Sequence, residues 1–248
     1  MDGLRDERYE AAGLERLIND RVGNLKLSQL IKPCLITAYD VTQRTAKFFT
    51  QHDALNDPEQ DYSIKMVARA TSAAPTYFEA MPFENGCSSA YVDGGLFANN
   101  PTMCAYVEAY NKLEGQPTAE NMVILSLGTG RFEISYPYQS VKDWGMVQWI
   151  RPLIDIMMSG VSETVDYQMQ KLFTAHDCCD SYLRLQTDIK INEKELSKLD
   201  NVAPENLDQL LARGEALADE NEAKLDALVE KLLPMNELTQ ANRIPMPL

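Results

Sequence analysis

The sequence has no apolar run of the roughly 18–20 residues that a helix needs to cross a bilayer, so no predicted element is a membrane span. Positive charge is scarce: 23 Lys and Arg stand against 37 Asp and Glu, a formal net charge of −14. That balance opposes a phosphate backbone or an anionic bilayer, and no nucleic-acid partner is expected. Cysteine is too sparse for a disulfide framework. Cys34, Cys87, Cys104, Cys178 and Cys179 are odd in number and scattered in apolar runs, which fits a reducing, cytoplasmic compartment. The opening MDGLRDERYE carries six charges in ten residues, unlike a signal peptide. Internal repeats and low-complexity linkers are absent too.

What is present is ordinary globular composition, 45% hydrophobic and 24% charged over 248 residues, enough for an α/β domain with a substantial core. Leu14, Leu17 and Ile18 predict a first helix that stops at Gly23. KPCLITAYDV and AKFF predict two strands about a Gln43-Arg44 turn, and SIKMVARATSAA a helix capped by Ser63 and ended by Pro75. TYFEAMPF and SSAYVDGG resume the strand pattern, and Asn100-Pro101 reads as an N-cap with proline at the first helical position. The continuous apolar run NMVILSL predicts a strand buried on both faces, as in a parallel sheet. Residues 143–176 read as helix interrupted near Ser159 and Gly160, SYLRLQTDI as a last strand, and 205–231 as one acidic amphipathic helix or a pair broken at Gly214. The expected fold is α/β, a mainly parallel sheet flanked by helices, with an α/β domain over 1–190 and a helical extension over 191–248 packed on it.

AYVDGGLFANNP at 90–101 places Asp93 at a strand end, where Gly94 and Gly95 permit a sharp turn and close backbone approach. A carboxylate held rigidly at such a position suits a general base, although Asp-Gly-Gly is also a common turn.

Three ordered motifs extend this reading. RATSAAPTYFEA at 69–80, VDGGLFANNP at 92–101 and ILSLGTG at 124–130 resemble the patatin-like phospholipases. KPCLITAYDV, AKFF and LDNVAPENLDQLLARGEAL are similar to further parts of that family, so the resemblance covers nearly the whole chain. It implies an α/β hydrolytic fold, a serine–aspartate dyad acting on lipid or acyl esters, transient membrane contact, and neither metal nor cofactor. Asp93 matches the family's catalytic aspartate, which activates serine directly without histidine; His52 and His176, the two histidines, lie outside the matched motifs. Gly94, Gly95, Asn99 and Asn100 are then the loop that supports Asp93.

The family also carries, upstream of these motifs, a Gly-rich oxyanion loop and a GxSxG nucleophile elbow. No serine here is flanked by glycine two places on each side. GCSSA at 86–90 has alanine where the second glycine belongs, and GVSET at 160–164 lacks it as well. Two expectations follow: Met1 is not the natural start and this is a truncated enzyme, or the chain is a non-catalytic interaction protein or one half of a split enzyme.

Other features have plainer readings. GTGRF at 128–132 is expected to be a strand-ending turn rather than a phosphate cradle. HDCCD at 176–180 lacks the spacing by which thiolates converge on zinc. Trp144, Met146, Val147, Trp149 and Ile150 are expected to form an inward-packed helix face, lipid contact being the alternative.

Overall fold

The computed structural model describes residues 7–84, 88–132, 135–189, 198 and 200–241. It divides into two units, residues 1–116 with 154–165 and residues 117–153 with 166–248.

In the first unit, helix α1 (Ala11–Val22) ends at Gly23, whose φ of 55° lets its N–H return to Asn19 O. Strands β1 (Leu35–Asp40) and β2 (Thr45–Thr50) form the expected hairpin, with Arg44 at φ 56° in its turn. Helix α2 (Gln51–Asn56) follows, capped by Thr50 Oγ1 accepting from Asp53 N at 3.1 Å. In α3 (Ile64–Thr71), Ser63 occupies the N-cap position, but its enclosed hydroxyl makes no hydrogen bond to the described residues. Strands β3 (Met81–Glu84) and β4 (Ser88–Asp93) lead into α4 (Gly95–Ala98) and α5 (Thr102–Lys112).

The four strands form one sheet in the order β2-β1-β4-β3, antiparallel throughout. This corrects the expectation of a mainly parallel sheet, since the strand that ends at Asp93 is paired antiparallel on both sides. The short connections of β1 to β2 and β3 to β4 can join only antiparallel neighbours, whereas a parallel pair needs a long crossover. Alternation puts Ala38, Phe49, Phe83 and Tyr91 on one face of the sheet. There they bury with Leu27, Val67 and Ala70 as the core of this unit. On the other face Phe97 of α4 packs against Tyr39 and Phe48, ring centroids 6.1 and 5.8 Å apart. The unit is therefore layered helix, sheet, helix.

In the second unit, β5 (Ile124–Leu127) and β6 (Arg131–Phe132) precede α6 (Tyr138–Val141) and α7 (Met146–Ala175), and then come β7 (Tyr182–Leu185) and β8 (Asp188–Ile189). Here the pairing is parallel, β5 with β7 and β6 with β8, because α7 supplies the crossover. Parallel pairing among the described residues is confined to these two pairs. Burial of β5 on both faces does not hold, since Leu127 is 66% exposed.

Helix α7 runs 30 residues unbroken through Ser159 and Gly160. A glycine inside a helix costs only about 1 kcal/mol, too little to end one. The tail forms α8 (Pro204–Glu220) and α9 (Glu222–Ala241), broken at Asn221 rather than Gly214. Arg213 Nη1 donates to Asp188 O at 3.0 Å, tying α8 to β8. Among the described residues no helix is long and apolar enough to cross a membrane.

Candidate active site

The Asp93 backbone is held from two sides. In the sheet it lies opposite Ala38 of β1, and its N–H donates to Ala73 O at 3.0 Å, just beyond α3. The turn then folds the carboxylate onto the start of α4, where Asp93 Oδ1 accepts from Gly95 N at 2.7 Å. Among the described residues no other group donates to this carboxylate, and Oδ2 is not among the enclosed, partnerless side-chain oxygens. One oxygen is pinned and the other is available to a hydroxyl.

Both glycines have structural causes. A Cβ on Gly94 would overlap Thr37, its backbone as well as Oγ1, because the turn crosses directly over β1. A Cβ on Gly95 would stand 3.2 Å from Asp93 Oδ1, crowding the oxygen that the Gly95 N–H holds. Thr37 is itself fixed, its carbonyl accepting from Thr71 Oγ1 at 2.7 Å. Gly94→Ala is expected to destabilise the protein by about 1–3 kcal/mol through overpacking, read as a lowered urea midpoint; an unchanged midpoint would show that the turn relaxes freely.

Asn100 is buried, and its Oδ1 accepts from Thr102 N at 3.2 Å and Thr102 Oγ1 at 2.6 Å, while Nδ2 donates to Ser162 O at 3.4 Å. This corrects the expected cap: Pro101 is the N-cap of α5 and Thr102 its first helical residue, while Asn100 stands one place ahead and takes the Thr102 N–H through its side chain. Asn99 is exposed, with Oδ1 near Gly95. Sequence reasoning missed Thr37 and Ala73. Both act through backbone atoms brought by other elements, which leave no local pattern.

Burial pushes the Asp93 carboxyl above its ordinary value, an effect partly offset by the Gly95 N–H. The folded protein therefore keeps this proton to higher pH than the unfolded chain. The resulting stability is fully present below the unfolded value of about 3.9 and is lost as pH rises through the folded value. Asp93→Asn, which keeps an oxygen for the Gly95 N–H, is expected to melt higher than the wild type at neutral pH. That advantage should vanish in acid. A gap that is constant with pH would contradict the shift.

No serine, cysteine or histidine among the described residues donates to Asp93. Gly86 and Cys87 of GCSSA lie outside the described residues. Ser88 and Ser89 lie in β4, opposite Glu84 and Phe83 of β3, so both are strand residues and neither stands at the strand-to-helix elbow that exposes a nucleophile. Ser162 of GVSET is inside α7.

His176 Nδ1 sits 3.3 Å from Glu120 Oε1, and the Cys178 thiol donates to Ala119 O and Phe173 O, each at 3.4 Å. Among the described residues no group of three or more His, Cys, Asp or Glu is placed to hold a metal ion. The GTG segment is a strand-ending turn: Gly128 N donates to Leu185 O at 2.9 Å, and Gly130 N to Gln186 Oε1 at 3.1 Å.

One expectation about the surface fails. Trp144 stacks edge-on with Tyr136 and Trp149, but Met146 is 84%, Val147 82% and Ile150 54% exposed, so this face of α7 is not packed inward.

Comparison with known proteins agrees with the motifs. The patatin-like phospholipase family model matches residues 3–106, which include Asp93. The chain is similar to patatin-like protein 2 of Arabidopsis thaliana, 30% identical over 248 residues that cover 91% of this chain and 60% of the relative. Patatin-like protein 2 of Oryza sativa subsp. indica is 28% identical over 243 residues, covering 88% and 60%. Probable inactive patatin-3-Kuras 1 of Solanum tuberosum is 26% identical over 200 residues, covering 74% and 54%. The chain spans 60% or less of the length of these curated relatives.

Proposed function

The chain belongs to the patatin-like phospholipase family, and from that premise we propose that it supplies the general base of a serine–aspartate lipid acyl hydrolase, with Asp93 as that base. The observation that carries this reading is the Asp93 carboxylate, pinned through Oδ1 by Gly95 N–H, with no donor to Oδ2 among the described residues. The serine is presented to it by chain outside these 248 residues, which hold no GxSxG elbow.

In the reaction the serine hydroxyl donates to Asp93 Oδ2. As Oγ attacks the acyl carbonyl, Asp93 takes the proton, then passes it to the departing alcohol as the tetrahedral intermediate collapses. Water repeats the sequence on the acyl-enzyme and releases the fatty acid. Partial burial makes Asp93 a stronger base than an exposed aspartate. Gly94, Gly95 and Asn100 fix the turn and the helix behind it; Asn99 closes the loop from the exposed side.

The substrate class follows from the family, and the exposed Met146, Val147 and Ile150 beside Trp144 and Trp149 support transient contact with a lipid surface. The net charge of −14 favours a zwitterionic surface over an anionic one.

The test is fatty-acid release from phosphatidylcholine vesicles by the protein isolated from its own cells, with the 248-residue chain alone as comparison. Release by the natural protein and none by the chain alone is the expected result. A natural protein without esterase activity would favour the second reading, a non-catalytic interaction protein. The absent elbow motif and the relative named as probably inactive support that alternative.

A further inference from the structure

On the same sheet as Asp93, a cavity of about 280 Å³ opens at the β1–β2 turn and contains Lys47, which lies opposite Ala38, the β1 residue that also faces Asp93, together with Asp40, Ser89 and Tyr91. Asp40 is 3% exposed and Ser89 and Tyr91 are buried. The Asp93 chemistry uses none of these groups.

Lys47 is unusually placed for a lysine. It is half-buried, and its Nζ lies 5.3 Å from the Phe49 ring centroid and 5.1 Å from that of Tyr62. Its one hydrogen bond among the described residues goes to a neutral acceptor, Gln60 Oε1, at 2.9 Å. Among the described residues no carboxylate stands within ion-pair distance. An ammonium here has exchanged part of its water for two ring faces and one amide oxygen, and its rings already interact with one another.

We propose that this cavity captures small neutral aldehydes, with Lys47 Nζ as the nucleophile that forms an imine. The Nζ lone pair makes a bond to the carbonyl carbon as the C=O π bond breaks, and an amine proton moves to the oxygen. The carbinolamine hydroxyl then leaves as water while nitrogen forms the C=N bond and loses its second proton. Amine and aldehyde give imine and water, with no oxidant or reductant. The rings of Tyr62, Phe83 and Tyr91 in the cavity wall favour an aromatic aldehyde.

Burial lowers the Lys47 ammonium from its ordinary value, against the opposing charges of Asp53 and Asp40. The titratable groups facing it are therefore Asp40 from β1, Asp53 from α2, Tyr91 from β4 and Tyr62 ahead of α3. Asp40 is held by the N–H groups of Thr42 and Gln43, each at 2.9 Å, and is placed to stabilise a protonated imine. The lower value makes more free amine available at neutral pH, as Schiff-base lysines require.

The experiment treats the 248-residue chain with benzaldehyde and cyanoborohydride near neutral pH and follows alkylation of each lysine by peptide mass spectrometry. Lys47 is expected to react severalfold faster than the exposed Lys65, because its burial between two rings leaves more free amine at neutral pH. Gln60→Glu places a carboxylate on Nζ and should slow Lys47 by about the same factor, with Lys65 unchanged. A Lys47 rate no greater than that of Lys65, or one indifferent to Gln60→Glu, would overturn the proposal. Neither outcome bears on ester hydrolysis.

Discussion

Asp93→Asn is expected to lower kcat for ester hydrolysis by the natural protein by about 10²–10⁴-fold, the range for loss of a general base, with KM little changed. The amide cannot take the serine proton, yet its oxygen can still accept from Gly95 N–H, so the turn keeps its shape. The loss is then chemical rather than structural, and thermal melting separates the two: the variant should melt at or above the wild type at neutral pH. A variant with wild-type kcat would remove Asp93 from the mechanism. One with lost activity and a collapsed melting temperature would reduce Asp93 to a structural role.

Phe49→Ala should have the largest effect on stability, about 3–5 kcal/mol. Phe49 is 1% exposed and stands within 5.3 Å of the Tyr62 ring and 5.8 Å of Tyr91. Removing it opens a cavity between β2 and β4, two residues before Asp93. Domains of this kind are stable by only about 5–15 kcal/mol, so the change consumes a large share of the total. Urea denaturation should show it, and Phe49→Leu should recover much of the loss. A shift below about 1 kcal/mol would mean that the aromatic cluster does not organise this face of the sheet.

Much of the first unit was legible because its signals are local. The β1–β2 hairpin needed only two apolar runs about a tight turn, the end of α1 only Gly23, and the Asp93 turn only its paired glycines. The parallel sheet was misread at Asp93 because an apolar run states that a strand is buried but not which strand lies beside it. The NMVILSL run shows the same limit in reverse, with its parallel partner correct and its two-sided burial absent. In α7 and α8, Gly160 and Gly214 were given more power to break a helix than their small propensity cost warrants. The Lys47 cavity was invisible in sequence, since Lys47, Gln60 and Tyr91 belong to separate segments that only the sheet and its loops bring together.

The most direct measurement is fluorophosphonate labelling of the natural protein, followed by identification of the labelled residue and by the same labelling of Asp93→Asn. The account predicts one labelled serine, in a GxSxG segment outside these 248 residues, and loss of labelling when Asp93 is replaced. Labelling of a serine within the 248 residues, or labelling that survives Asp93→Asn at the wild-type rate, would contradict it.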